Sequence, residues 1–459
     1  MLHSTSRCPI AFSGSDVFLE AHNASGSNVN SKINNKQGFK MRNKNYKRPA
    51  YFRLTVAAAL VLSSTAAMAG GFQEWEQGGE LGLYHAGAAV TASAGNEFYN
   101  PALPAAIGHS EISVGGAFVQ AKLAVEKGTT IFSNGQQFVL THDENGGGNN
   151  LIPNFHAVYS DGNRWAAALG ITVPFGIESD YSKTDTVKYG ASLTKIQAIN
   201  INPSLSYKLN NHVYLGFGFD MLSGEADYNS VMPGSDVNFT NNLDDVAFGF
   251  NAGALFKISP ITSIGVSYRS KISLDASGQS SLFLPGQPPF GTTTATAKLP
   301  LPATTIISFS QKLSHKATIL ASAFYTQWDA LKAIKIKNTE IGDVTDDKNF
   351  RNTWNIALGL KYKVNKKWVA MLGLGHDQTP TQDGYRDVRM PDADHTVVSF
   401  GAEYAINKQQ SLSVGYAHVF IPEAKIDDSK SDISSADNAV GSAKSSANLV
   451  SLQYKWSFV

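Results

Sequence analysis

The chain has one cysteine, Cys8, in 459 residues. It lies upstream of a secretion signal, so the chain beyond that signal has none. Neither a disulfide framework nor a cysteine-based metal site can then be built. Long hydrophobic runs are also scarce. Past the N-terminal region, no stretch reaches the roughly 18 apolar residues that a membrane helix needs. Mean hydropathy is only −0.16, low for a helical membrane protein. The formal net charge is +1, which argues against a nucleic-acid partner. There is no G-x-S-x-G, H-E-x-x-H or P-loop. Ser, His and Asp are scattered with no readable triad, so neither catalysis nor a cofactor nor a metal is expected. The acidic runs 143–150 and 427–437 share only their composition with Ca²⁺ loops and read as solvated loops.

What is present begins with the signal. Residues 1–40 are polar and patternless. Met41 then opens a segment with Arg42, Lys44, Lys47, Arg48 and Arg53, an apolar core at 54–62, and the small-x-small site Ala67-Met68-Ala69. Residues 41–69 read as a signal peptide cleaved after Ala69. A signal sits at a true N-terminus, so 1–40 reads as a disordered, over-extended start.

From His109 onward the period is 2. Val213, Leu215, Phe217, Phe219 and Met221 alternate with Tyr214, Gly216, Gly218 and Asp220. Ile356, Leu358, Leu360 and Tyr362 alternate with Ala357, Gly359 and Lys361. One face is apolar and the other small or polar. A soluble sandwich would turn the apolar face inward; a membrane barrel turns it to lipid. The signal, the missing cysteines and aromatic residues near strand ends favour the barrel. About fourteen such segments are present, an even number as bacterial barrels require. They lie near 110–122, 151–160, 163–176, 193–209, 212–227, 243–258, 262–277, 302–313, 316–335, 351–363, 366–377, 395–406, 410–423 and 447–458. Short polar turns alternate with longer connections, which should face outside the cell. The expected fold is therefore all-β: a transmembrane antiparallel β-barrel in the bacterial outer membrane.

The stretch 70–102 does not fit the strand pattern. It is rich in Gly and Ala, opens Gly70-Gly71-Phe72-Gln73 and closes Asn100-Pro101-Ala102. A barrel that begins this way needs somewhere to put the segment, and the lumen is the natural place. With the pieces at 164–176, 205–218, 299–303 and 354–401, these motifs in order resemble the FadL family of outer-membrane long-chain fatty-acid transporters. The resemblance implies an N-terminal hatch over 70–109, a barrel over 110–459, and ligand-gated passive diffusion of long-chain fatty acids or related hydrophobic compounds. It also implies a monomer among outer-membrane lipid and lipopolysaccharide, assembled by barrel-assembly machinery that reads a C-terminal aromatic residue. Here Val459 follows Phe458, a small departure.

The resemblance assigns roles to particular residues. Gly70, Gly71 and Phe72 would reach into the ligand pocket and act as its latch. Asn100, Pro101 and Ala102 would lock the hatch against the wall near a kinked third strand. Pro174, which donates no ladder hydrogen bond, and Gly176, which suits a bulge, place the kink and a lateral exit at Pro174, Phe175 and Gly176. Alternatively, Pro174 simply ends its strand. Lys348 and Arg351 are candidate carboxylate partners or solvated loop charges; Ser230 stands where a basic residue is expected. The apolar loop residues Leu282, Phe283, Leu284 and Phe290 would form an external groove or pack on a neighbour. Uptake of aromatic or alkane hydrocarbons, a structural or adhesive barrel, and an outer-membrane enzyme are the competing readings.

Overall fold

The computed structural model describes residues 71–74, 80–131, 137–140, 142–182, 186–232, 234–338, 342–431 and 438–458. The start at 1–40, the signal at 41–69, Gly70 and Val459 lie outside the described residues. Fourteen antiparallel strands close into a barrel. In order they are β1 (Ser110–Ile131), β2 (Asn149–Ser160), β3 (Trp165–Asp180), β4 (Leu193–Lys208) and β5 (Val213–Val231). Next come β6 (Asn238–Lys257), β7 (Thr262–Arg269, continued by Ile272–Phe283) and β8 (Gly291–Leu301, continued by Thr304–Lys312). The last six are β9 (Ala317–Thr326), β10 (Thr353–Lys363), β11 (Trp368–Asp377), β12 (His395–Ala405), β13 (Gln410–Phe420) and β14 (Asn438–Phe458). Closure comes from β1 against β14, with Ser110 opposite Phe458.

The polarity is that of a barrel in lipid. Phe217 and Phe248 are more than half exposed on the outer wall, at 57% and 58%. On the inner face Asn200, Asn202, Ser204 and Ser206 of β4, Asp220 of β5 and Asn251 of β6 are buried. The alternation that fixes strand identity thus also fixes which face meets lipid.

The six tight turns share one construction. Asn210 Oδ1 accepts from the N–H groups of His212 and Val213 at 2.8 and 2.9 Å. Ser259, Ser314, Asn365 and Asn407 do the same two and three residues on. Asp161 accepts from three successive N–H groups, those of Asn163, Arg164 and Trp165. A short side chain that bonds its own downstream backbone turns the chain in few residues.

Several strands run further than their apolar alternation does. Residues 278–300, expected as a loop, instead extend β7 and begin β8, and the two halves stay in register from Ile272–Leu301 to Leu282–Gly291. Ser280 and Thr293 are buried here with Ala295 and Leu299, while Gln279, Thr294 and Lys298 are exposed, so the apolar residues face inward and no apolar outer face marks the strand. The segment expected at 316–335 ends at Thr326. It gives way to a short 3₁₀ turn, Trp328–Ala330, and a separate hairpin of Ala333–Asn338 with Val344–Asp347.

Residues 80–109 lie inside the barrel. Leu83, Ala86, Ala89, Asn100 and Leu103 are buried there, with a one-turn helix at Pro104–Ile107. The wall makes room with glycine. A Cβ at Gly253 would overlap the Asn100 side chain, and one at Gly216 the Pro101 carbonyl. Overpacking such a contact costs about 1–3 kcal/mol. Gly253→Val should leave a barrel that keeps its heat-shifted gel mobility, while proteolysis within 80–109 rises roughly tenfold. Limited digestion in detergent reads this directly.

Candidate functional site

The site is built around an interruption in the β2–β3 ladder. That ladder runs from Ser160–Ala166 to Phe155–Ile171 and stops. Beyond it, β2 continues against β1 as far as Asn149. β3 continues to Asp180 against β4 alone, with a register shift between Thr172 and Phe175. Pro174 lies inside that shift and has no N–H to offer. One edge of β3 therefore loses its strand partner part-way up the wall.

The N-terminal segment covers this edge. The Gly176 N–H donates to the Phe72 carbonyl at 2.9 Å, and the Glu74 N–H donates to the Pro174 carbonyl at 2.8 Å. Gln73 pairs with Phe175 as an isolated antiparallel bridge. Side chains hold the segment in place. The Phe72 ring meets Trp328 edge-on at 4.8 Å and Phe175 at 6.1 Å, and Trp328 meets Phe350 at 5.7 Å. Gly71 has φ +74°, and a Cβ there would lie 2.8 Å from Trp328 Cζ2. Its N–H donates to Asp392 Oδ2 at 3.1 Å. Asp392 also accepts the Thr379 hydroxyl at 2.6 Å and sits 2.8 Å from His395 Nε2. Gln73 bridges Thr304 and Thr326 at 3.2 Å each.

Asn100, Pro101 and Ala102 lie elsewhere on the wall. The Asn100 amide donates to the carbonyls of Ala89 at 2.8 Å and Ala254 at 3.1 Å, and its oxygen accepts from the Ala102 N–H at 3.0 Å. Gly216, beneath this turn, is only three residues from the tight-turn end of β5. On the same strand, Gly224 is opposite Ala198, the partner of Phe175. The motif is thus seated below the kink rather than at it. A cavity lined by Tyr99, Pro101, Asp220, Pro174 and Phe175 joins the two levels.

Lys348 is buried and ion-paired to Asp387 at 2.5 Å and Asp346 at 2.9 Å. Arg389, also buried, donates to Thr194 Oγ1 at 2.9 Å and the Asn229 carbonyl at 3.0 Å, and its guanidinium lies 3.8 Å from the Tyr228 ring centre. The Tyr228 hydroxyl donates to Asp346. Two cations thus face two carboxylates out of water. Burial pushes the Asp346 carboxyl up to about 6, whereas Lys348 holds Asp387 below the usual carboxylate range against its own burial. Arg351 is not part of the cluster. Its side chain is half exposed, donates to the Thr379 carbonyl at 3.2 Å and lies 3.8 Å from Asp394. Beside the cluster is an apolar pocket lined by Ile196, Leu243, Leu274, Leu299 and Ile336, with Tyr228 at its edge.

The sequence profile of the family described as "Outer membrane protein transport protein (OMPP1/FadL/TodX)" matches residues 60–458. The chain belongs to this family. It is 26% identical over 411 residues to the long-chain fatty acid transport protein of Escherichia coli O6:H1, spanning 80% of this chain and 91% of that one. Outer membrane protein P1 of Haemophilus influenzae is 25% identical over 453 residues, spanning 88% and 98%. The same fold occurs in a Pseudomonas aeruginosa FadL homologue, with TM-score 0.77 and 23% identity over 85% of this chain and all (100%) of that one. The Pseudomonas putida toluene transporter TodX aligns with TM-score 0.63 and 14% identity over 84% and 99%. The chain is thus an outer-membrane barrel of a family of transporters of hydrophobic compounds.

In this FadL-family barrel several site residues carried no signal in the sequence. Trp328 interrupts a strand pattern, and only the fold brings it to Phe72. Asp346, Asp387 and Arg389 read as ordinary loop charges; their burial is a property of loops folding onto one another. Replacing Phe with Ala in a packed cluster costs about 3–5 kcal/mol. Phe72→Ala should therefore speed hydrogen exchange of the Gly176 amide about a hundredfold or more. The Leu169 amide, held in the barrel wall, should keep its protection.

Proposed function

We propose that this barrel carries long-chain fatty acids, or closely related anionic amphiphiles, across the outer membrane by ligand-gated passive diffusion. The observation that supports this most is the apolar pocket lined by Tyr228, the residue that also bonds to Asp346 and lies against Arg389 of the buried charged cluster. A hydrocarbon tail would have to widen this apolar pocket, leaving its charged head toward the cluster. The carboxylate would enter by taking over Lys348 or Arg389 from an aspartate, with Arg351 nearer the solvent route.

Gating rests on Gly70, Gly71 and Phe72. A tail that displaces Phe72 from Trp328 withdraws the segment from Phe175 and bares the edge of β3. Two backbone hydrogen bonds and the edge-on aromatic contacts are lost, each about 0.5–1.5 kcal/mol. A ligand with a few kcal/mol of preference for the released state can supply this. The ligand then leaves sideways past Pro174, Phe175 and Gly176 into lipid. Asn100, Pro101 and Ala102 keep the rest of the hatch seated meanwhile. No reaction chemistry is required, and the barrel acts as a monomer in the lipopolysaccharide-bearing membrane after assembly through its C-terminal strand. The rings of Phe72, Phe175, Trp328 and Phe350 favour aromatic hydrocarbons as a second class of cargo by the same route.

The test is labelled oleate uptake by cells lacking their own transporter, at equal surface expression. The full protein should restore uptake, and deletion of Gly70–Phe72 should abolish its ligand dependence. A folded protein that moves toluene and no oleate would reassign the cargo to hydrocarbons.

A further inference from the structure

Asn338 is a buried side chain that neither the fold nor the proposed route uses. It ends the strand Ala333–Asn338, which pairs with β8. Its backbone is held on both sides. The N–H donates to Asp343 Oδ1 at 3.0 Å, and the carbonyl accepts from the Gly342 N–H at 3.2 Å. The residue is only 2% exposed. Its side chain is held by nothing: neither Nδ2 nor Oδ1 has a hydrogen-bond partner. Among the described residues it is the one buried carboxamide with both atoms unpaired. Burying a donor and an acceptor without partners costs the desolvation of each, and native proteins seldom do it.

The position of this amide relates it to the apolar pocket. Along its strand Ile334, Ile336 and Asn338 are buried, while Lys335 and Lys337 are exposed. The three buried residues therefore share one face. Ile334 and Ile336 line the pocket beside Tyr228, and Asn338 is the next residue of that face. It stands opposite Ala295, which belongs to the same apolar cluster as Ile336 and Leu299. Buried polar groups on the adjoining strands satisfy one another. The Ser280 hydroxyl bonds to Asn241 Oδ1, and the Asn241 amide donates to the Tyr228 carbonyl at 2.7 Å.

The same hairpin carries the charged end of the pocket. Asp346 stands opposite Ile334, accepts from the Tyr228 hydroxyl and pairs with Lys348 at 2.9 Å. From Ile334 to Asn338 the strand runs about 13 Å, at roughly 3.3 Å per residue. A chain whose head faces the cluster would pass Ile334 and Ile336 and then meet Asn338. One face of the hairpin thus presents charge, hydrocarbon and an unpaired carboxamide in that order.

We propose that Asn338 is a subsite for a hydroxyl borne part-way along an acyl chain, so that the pocket prefers long-chain hydroxy acids to unsubstituted ones. This rests on the reading of the pocket as the seat of the cargo's tail. A carboxamide offers a donor and an acceptor side by side, and a hydroxyl can answer both. A methylene in the same place leaves both atoms unpaired, and a site built to bond a hydroxyl discriminates on that account. A carboxylate does not suit this end, because Lys335 and Lys337 lie on the exposed face of the strand.

The experiment measures binding of labelled oleate and of labelled ricinoleate, which is oleate with one mid-chain hydroxyl, to the purified protein in detergent. The wild type should bind ricinoleate at least about fivefold more tightly. Asn338→Leu keeps the size of the side chain and removes its polar atoms. It should bind the two acids equally, with oleate affinity held or improved, and heat-shifted gel mobility verifies that it is folded. Without ligand it should unfold at the wild-type temperature or above, since no bond is lost. Equal binding of both acids by the wild type would remove the subsite and leave the cargo reading standing. A preference that survives in Asn338→Leu would place the hydroxyl elsewhere. A lower unfolding temperature, or weaker binding of both acids alike, would make Asn338 a structural residue and overturn the subsite. Binding of neither acid by the wild type would end the cargo reading and the subsite together.

Discussion

A barrel wall in hydrocarbon has no water to satisfy its backbone, so every N–H and C=O along it needs a partner within the protein. That requirement governs this structure. Where β2 stops accompanying β3 after Ile171, the wall would present an open strand edge. Pro174 removes one donor from the problem, and the register shift beside it turns the strand. The chain then supplies the missing partner from its own N-terminus, as Phe72 and Glu74 bond across Gly176 and Pro174. The opening and its closure belong to the same covalent chain. In the proposed gating, withdrawal of this segment would bare the strand edge and leave the rest of the wall paired.

Seating a plug inside a closed barrel imposes a second constraint, on volume. Fourteen strands enclose more space than their own small inward side chains fill, and residues 80–109 take it up. The fit is made where wall glycines let backbone approach backbone, as at Gly216 and Gly253, and where Asn100 supplies hydrogen bonds to both plug and wall. The two ends of the segment are held differently. Its lower part is locked by the Asn100 turn. Its upper part is held by one bridge, one aromatic cluster, the Asp392 carboxylate and the hydrogen bonds of Gln73 to Thr304 and Thr326.

Much of this fold was legible in the sequence because a membrane barrel writes its environment into every second residue. Phe217 and Leu358 had to be apolar, and Gly216 and Ala357 had to be small, so strand identity and facing followed together. The turns were visible for a similar reason, since Asn210, Asn365 and Asn407 bond their own neighbours. Beyond the lipid boundary the code changes: residues 278–300 form strand with Ala295 and Leu299 buried and Thr294 and Lys298 exposed, so the outward apolar face is missing. The site was legible only in part. Pro174 advertised an irregular strand by its chemistry, whereas Gly176 pairs regularly with Gln197 outside the register shift and has no positive φ. Trp328, Asp392 and the pairing of Lys348 with Asp346 and Asp387 arise from contacts between distant segments, and nothing local in their surroundings announces them.

The central claim is that the N-terminal segment must leave the edge of β3 for cargo to pass. Gln73 and Phe175 face each other in a non-hydrogen-bonded antiparallel pair, whose Cα atoms lie about 4.5 Å apart, within reach of a disulfide. A double variant, Gln73→Cys with Phe175→Cys, places that bond across the latch. Uptake of labelled oleate should be lost in the oxidised protein and recovered on reduction, while either single variant transports in both conditions. Full uptake by a quantitatively cross-linked protein would contradict the account.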